Sequence, residues 1–192
     1  MLSKADDYPI HQSPEPIAYA GQSRNFYDRY FFNGYDIEGD VFFALGMGIY
    51  PHVDVIDAGF SLIRNGVQHD LLCSRALGME RMDTQVGNIK VEVVEPLQSL
   101  RLVIDAPEHG IEADLLFTGR APAQEEPRFT RRLGSQLFMD YTRLTQNGHW
   151  AGWIKHRGER INVAPARWLG TRDRSWGIRP IGERDAQANP SA

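Results

Sequence analysis

The sequence is poor in cysteine, in clustered basic charge and in long apolar runs, and each shortage narrows what the chain can be. With Cys73 as its one cysteine, it can form neither an internal disulfide nor a multi-cysteine metal site. That thiol follows Leu71 and Leu72, where it reads as a small buried hydrophobe. A net charge of −4 leaves no broad basic surface to neutralise phosphates. Arg128, Arg131 and Arg132 do cluster, but Glu125 and Glu126 stand beside them, so the run reads as a solvated loop. Nucleic acid is therefore not an expected partner. No apolar stretch approaches the roughly 20 residues of a membrane-spanning helix. The opening Met1-Leu2-Ser3-Lys4-Ala5-Asp6-Asp7 never becomes the apolar core of a secretory signal, so a cytoplasmic location is expected.

The familiar catalytic signatures are missing as well. There is no Gly-x-x-x-x-Gly-Lys phosphate loop, no Gly-x-Ser-x-Gly elbow and no His-Glu-x-x-His zinc helix. Gly46-Met47-Gly48 is too short for a dinucleotide fingerprint and precedes no helical pattern. The six histidines are dispersed, and nothing in their spacing brings three to one metal. Neither a cofactor nor a metal is expected.

What is present is strand pattern. A chain of 192 residues with 42% hydrophobic content has enough apolar material for one domain with a sizeable core. Ile89, Val91 and Val93 alternate with Lys90 and Glu92, and Leu100, Leu102 and Ile104 alternate with Arg101 and Asp105. Ile111, Ala113, Leu115 and Phe117 alternate with Glu112, Asp114 and Thr118. Period two means one buried and one wetter face, as in antiparallel sheets. Residues 30–35 and 41–50 are apolar on both faces, and Ala44, Gly46 and Gly48 suggest bending or a close approach there. Asn65-Gly66 is the strongest hairpin signal, Asn147-Gly148 is a second, and Arg157-Gly158 is a weaker third. Residues 121–132 form the longest stretch without a period, a place for a lid or crossover loop. No segment has convincing helical periodicity, and residues 136–146 favour a strand. The expectation is an all-β antiparallel meander of roughly eight to ten strands that closes into a barrel to eliminate its edges. Residues 1–24 read as an N-terminal extension, 25–182 as the β domain and 183–192 as a disordered tail.

Candidate chemistry gathers near the C-terminus. All four tryptophans, Trp150, Trp153, Trp168 and Trp176, fall there, with Asp173 among arginines and glycines. A carboxylate against apolar walls can hold its proton near neutrality and act as an acid, whereas pairing with Arg172, Arg174 or Arg179 would oppose that shift. A structural role is equally open, with Asp173 capping backbone N–H groups and Trp176 plugging the barrel end. Trp150 and Trp153 are odd-spaced, so they point to opposite faces of a strand and at most one lines a cavity.

The run Gly170-Thr171-Arg172-Asp173-Arg174-Ser175-Trp176-Gly177 resembles the Gly-Tyr-x-Asp-His-Ser/Asn-Trp-Gly signature of the AttH-like and carotenoid 1,2-hydratase superfamily. Residues 28–35 and the block Met139-Asp140-Tyr141-Thr142-Arg143 resemble an uncharacterised bacterial branch of it. The resemblance implies a lipocalin-like (calycin-type) barrel, the first of two such domains in tandem. The partner would then be a second lipocalin-like domain, a companion chain or a second copy, with the tail as the start of that second domain. It also implies an apolar small-molecule ligand such as a terpenoid, steroid or polyketide. The corresponding activity would be cofactor-independent hydration, isomerisation or cyclisation. By position Asp173 matches the acid and Trp176 the motif's tryptophan, while Thr171 replaces the tyrosine and Arg174 the histidine. Trp150 or Trp153 is the candidate cation stabiliser, and Tyr141 and Thr171 join them as ligand contacts. Two alternatives stand beside catalysis: a non-catalytic carrier of hydrophobic ligands, and half of a two-domain protein that is inactive alone.

Overall fold

The structure, a computed structural model, describes residues 4–10 and 14–181. The tail at 183–192 lies outside the described residues. Thirteen strands form one antiparallel sheet: β1 (Phe26–Asp36), β2 (Val41–Tyr50), β3 (Val55–Arg64), β4 (Val67–Ala76), β5 (Gln85–Val86), β6 (Ile89–Glu95), β7 (Ser99–Ala106), β8 (Ile111–Gly119), β9 (Gln124–Glu125), β10 (Phe129–Leu133), β11 (Gln136–His156), β12 (Glu159–Val163) and β13 (Trp168–Ile178). Helical structure among the described residues is limited to short 3-10 turns such as Lys4–Asp7 and Ile17–Tyr19. No helix there is long and apolar enough to cross a membrane.

The sheet runs β4-β3-β2-β1-β13-β11-β8-β7-β6-β5, so β1 lies between its hairpin partner β2 and the distant β13. The sheet curls without closing through a backbone ladder, because β4 and β5 remain as edges. Side chains bridge that gap: Arg75 on β4 donates to the carbonyls of Gln85 and Asp83 at 2.8 Å each. The edges are thus tied by charge-assisted bonds instead of a ladder. The architecture is lipocalin-like.

Period-two alternation places the core as the sequence suggests. Val41, Phe43, Leu45, Met47 and Ile49 of β2 point inward, as do Leu100, Leu102, Ile104 and Ala106 of β7 and Ile111, Ala113, Leu115 and Phe117 of β8. Turn signals fare unevenly. Asn65-Gly66 and Arg157-Gly158 are two-residue hairpins with positive φ at both positions, as that turn demands. Asn147-Gly148, expected as a turn, runs straight through the long strand β11. Gly148 serves space, not chain reversal: a Cβ there would lie 2.4 Å from the Phe117 ring. Residues 121–132, expected as a loop, instead contribute β9 and part of β10, both paired to β11.

Aromatic side chains fill one half of the interior. Trp150 is fully buried and meets Phe43, Phe117 and Phe32 edge-on at 5.0, 5.2 and 6.0 Å between centroids. Such pairs add roughly 0.5–1.5 kcal/mol each beyond their area. Its Nε1–H donates to the Asn33 carbonyl at 2.9 Å, so the indole carries no unsatisfied donor into the core. The indole fits because Gly34, Gly170 and Gly148 stand in register on adjacent strands β1, β13 and β11, leaving the wall bare beside it. Towards the other end of the same strands the interior is not filled.

Candidate functional site

The hollow half opens between Phe26, Ile49, Val91, Trp176 and Ile178 as a half-open space of about 870 Å³. The segment ahead of β1 supplies part of its wall through Ala5, Ile10, Ile17 and Ala20. This extension is built into the mouth of the cavity. Ala5 is buried, the Ile17 N–H donates to Asp6 Oδ1 at 2.6 Å, and Arg81 Nη1 donates to the Ile17 carbonyl at 3.1 Å. A recess of about 410 Å³ adjoins the cavity, lined by Leu97, Leu100, Leu144 and Arg172, and shares Asp28, Tyr30, Val93, Arg174 and Trp176 with it.

The lining is mixed: Arg81, Asp83, Lys90 and Glu92 stand among the apolar residues of the cavity, and a strip of charge runs along the wall it shares with the recess. On β13, Arg172, Arg174 and Trp176 alternate inward with period two. Arg174 donates through Nη1 to Asp28 Oδ1 and lies 4.3 Å over the Tyr30 ring. Burial pushes its guanidinium down to about 10. Arg81 reaches the other Asp28 oxygen at 3.7 Å, and burial lowers its pKa too. Arg172 is only 4% exposed and donates through Nε to Gln146 Oε1 at 2.8 Å, but its Nη2 is buried without a hydrogen-bond partner. Burial lowers the Arg172 pKa, opposed by the nearby Tyr30 phenol, whose own pKa burial raises.

Asp173 belongs to the opposite face. It lines a crevice of about 230 Å³ with Phe31, Pro122, Gln124, Thr145 and Thr171, which Gln146 and Arg172 reach from the inward face. Burial pushes its carboxyl above the ordinary range, while Arg29 and Arg143 pull it down. Arg143 is itself engaged with Glu126 at 2.6 Å. No described residue donates a hydrogen bond to Asp173 or forms an ion pair with it. Thr171 in the same crevice is tied to Asn33, accepting from its Nδ2 at 2.9 Å.

The six residues singled out in the sequence are therefore dispersed. Trp176 lines the cavity, and Asp173 and Thr171 share the crevice. Trp150 lies in the filled half. Trp153 is on the outer face with the Arg160 guanidinium 4.5 Å over its ring, and Tyr141 meets Phe129 at a tilt, 5.4 Å between centroids. Sequence reasoning missed Asp28, Tyr30 and Arg81 as site residues, treated Arg172 as a neighbour of Asp173, and took Arg174 as such a neighbour and as the replacement of the motif's histidine. The parity of β13 was the available signal: even positions follow Trp168 inward, and Asp173 is odd. Among the described residues no group of His, Cys, Asp and Glu side chains could hold a metal ion.

A lipocalin-like sheet, filled at one end and hollow at the other, defines a curled antiparallel β protein with a half-open cavity of small-molecule size. The chain belongs to the family of unknown function DUF8625, whose model matches residues 2–192. No curated protein matches it in sequence. Its fold is similar to that of kievitone hydratase from Nectria haematococca, with a TM-score of 0.60 and 15% identity over 78% of this chain and 47% of that one. It is also similar to CghA (TM-score 0.50, 13% identity, 82% of this chain and 47% of that one), and to CghA with Sch210972 (0.51, 12%, with the same coverage). The chain spans about half the length of these structures.

Proposed function

We propose that the chain binds an apolar small molecule of terpenoid, steroid or polyketide size in the hollow half of its curled sheet. One observation carries this reading. A core that closes over Trp150 is left open, a few residues further along the same strands, as about 870 Å³ walled by Phe26, Ile49, Trp176 and Ile178. Interiors are normally close-packed, and concave, mostly apolar spaces of this size are where small ligands bind. The fold shared with kievitone hydratase, and with CghA solved with Sch210972, supports the same direction. Titration of the protein with retinol, a neutral apolar probe, checks it through energy transfer from Trp176. Saturable binding is expected. Ile49→Trp, which fills the cavity, should weaken that binding at least about tenfold. Absence of saturable binding overturns the reading.

A second reading concerns chemistry, and the half-buried, unpartnered carboxyl of Asp173 favours it. A carboxyl whose pKa burial raises is better able to donate a proton to an alkene or carbonyl, as hydration, isomerisation or cyclisation requires. Such chemistry would take place in the crevice that Asp173 lines. The likeness to the AttH-like and carotenoid 1,2-hydratase signature around Asp173 points the same way.

A further inference from the structure

The interior cavity has an electrostatic asymmetry that an apolar ligand alone does not explain. The charged groups that line its recess are the guanidiniums of Arg172 and Arg174 and the carboxylate of Asp28. Arg174 has a carboxylate facing it, Asp28, but Asp28 also faces Arg81. Arg172 has no carboxylate within ion-pair distance among the described residues. Its one side-chain bond goes to a neutral amide, and its Nη2 has no partner at all.

Burying a charge without a counter-charge is costly, and proteins normally pair such groups. Holding the neighbouring loops does not need that Nη2. Gln146 ties them by itself, donating from Nε2 to the carbonyls of Leu97 and Ala121 at 2.9 and 2.8 Å. The unused donor belongs to a side chain that lines the recess next to Leu97, Leu100 and Leu144 and also reaches the crevice of Asp173. A buried cation with a free donor, set at the end of an apolar space, is the arrangement that receives an anion with an apolar body.

Asp28 is shared by Arg174 and Arg81, so the three guanidiniums have this one carboxylate between them and Arg172 faces none. An anion beside Arg172 supplies counter-charge that the strip lacks. The planar fork of a guanidinium suits a carboxylate.

We propose that the occupant of this cavity is an amphipathic carboxylate, its charged head received by Arg172 beside Arg174 and its apolar body lying along Trp176 towards the mouth. This rests on the cavity being a ligand site. It adds the chemical class of the ligand and its orientation. The carboxylate could belong to a flexible chain or to a fused-ring skeleton, and the test separates the two.

Isothermal titration of the full chain compares dodecanoic acid with dodecanol, and abietic acid with its alcohol abietinol, at neutral pH. At least one acid should bind roughly ten- to hundredfold tighter than its matching alcohol, as a charge-assisted bond implies. The skeleton with the larger affinity identifies the source. In Arg172→Met the acid-to-alcohol ratio should fall towards one. A structural role for Arg172 would instead lower both affinities together and leave the ratio unchanged, which would overturn the assignment. Equal binding of acid and alcohol by the wild-type protein would overturn the carboxylate inference and leave the cavity reading standing. Binding of none of the four ligands would overturn both. The wild-type comparison decides even where Arg172→Met does not fold.

Discussion

Gly170 faces Gly34 across β13 and β1, and the indole of Trp150 takes the space that a side chain at either position would fill. A Cβ on Gly170 would lie 2.4 Å from Trp150 Nε1 and 2.1 Å from the Asn33 carbonyl that accepts its bond. A Cβ on Gly34 would lie 2.3 Å from the Phe43 ring. Neither backbone nor a wedged ring can move aside cheaply. Gly170→Ala and Gly34→Ala should each cost about 1–3 kcal/mol, the usual range for overpacking a core. For a chain of this size each kcal/mol lowers Tm by roughly 2–4 °C. Gly46→Ala is the internal control, because nothing lies within 4 Å of its Cβ position and its φ is unexceptional. Calorimetry should show the first two variants melting clearly below the wild type and Gly46→Ala close to it. Equal melting of all three would mean that the glycine row is not what admits the indole.

The environment of Asp173 makes a prediction about sign. Its folded-state pKa is raised by burial, so the unfolded state holds the charged form more readily. The carboxyl therefore disfavours folding once pH rises above its ordinary value near 3.8, and does so fully above its folded-state pKa. Asp173→Asn, which never ionises, should melt at or slightly above the wild-type temperature at pH 7, and the difference should vanish below about pH 3. A capping carboxylate would give the opposite result, a loss of roughly 1–3 kcal/mol. If Asp173 donates a proton in catalysis, the same variant keeps its fold and loses turnover of an alkene substrate. A variant that is less stable at neutral pH would show that Asp173 is held by bonds.

His156 gives the chain an acid sensitivity. It is buried, its ring lies 4.5 Å from that of His69, and burial, His69, Arg157 and Arg64 push its pKa below 6.5, with Glu159 opposing. A histidine held neutral in the folded state takes up its proton more readily on unfolding. Stability is thus fully present above about pH 6.5 and declines as pH falls from there towards the lowered folded-state value. Melting curves between pH 8 and pH 5 should show Tm falling in the lower half of that range. His156→Gln should flatten the fall, and a slope unchanged in that variant would locate the sensitivity elsewhere.

The strand faces were legible because period-two alternation is a local property of the chain. Residues 100–105 and 111–118 needed nothing more than their own side chains to show which face is buried. The aromatic anchor at Trp150 was visible as a residue but not as a position, because its surroundings come from β1, β2 and β8. The same long-range dependence misled the reading of Asn147-Gly148. That dipeptide favours a turn locally, but Gly148 is required where Phe117 crosses from another strand. Charge at the site was the least legible feature. Asp28 and Arg174 are 146 residues apart, and only the β1–β13 register brings them together. Within β13 itself, counting in twos from Trp168 would have separated the inward Arg172 and Arg174 from the outward Asp173.

Placing β13 beside β1 also governs how the chain can acquire its fold. The hairpins from β1 to β4 and from β6 to β8 rest on local contacts and can form as soon as their residues are free to pair. The cavity cannot, because its wall needs Trp176 and Arg174 against Tyr30 and Asp28. A polypeptide emerging from the ribosome would thus carry β1 with one edge unpaired until residue 178 has been added. Loop-closure entropy over so long a separation makes that last pairing the slow step and exposes an apolar strand edge meanwhile. Ligand capacity should therefore appear only in the final phase of refolding, well after most of the strand signal has been regained.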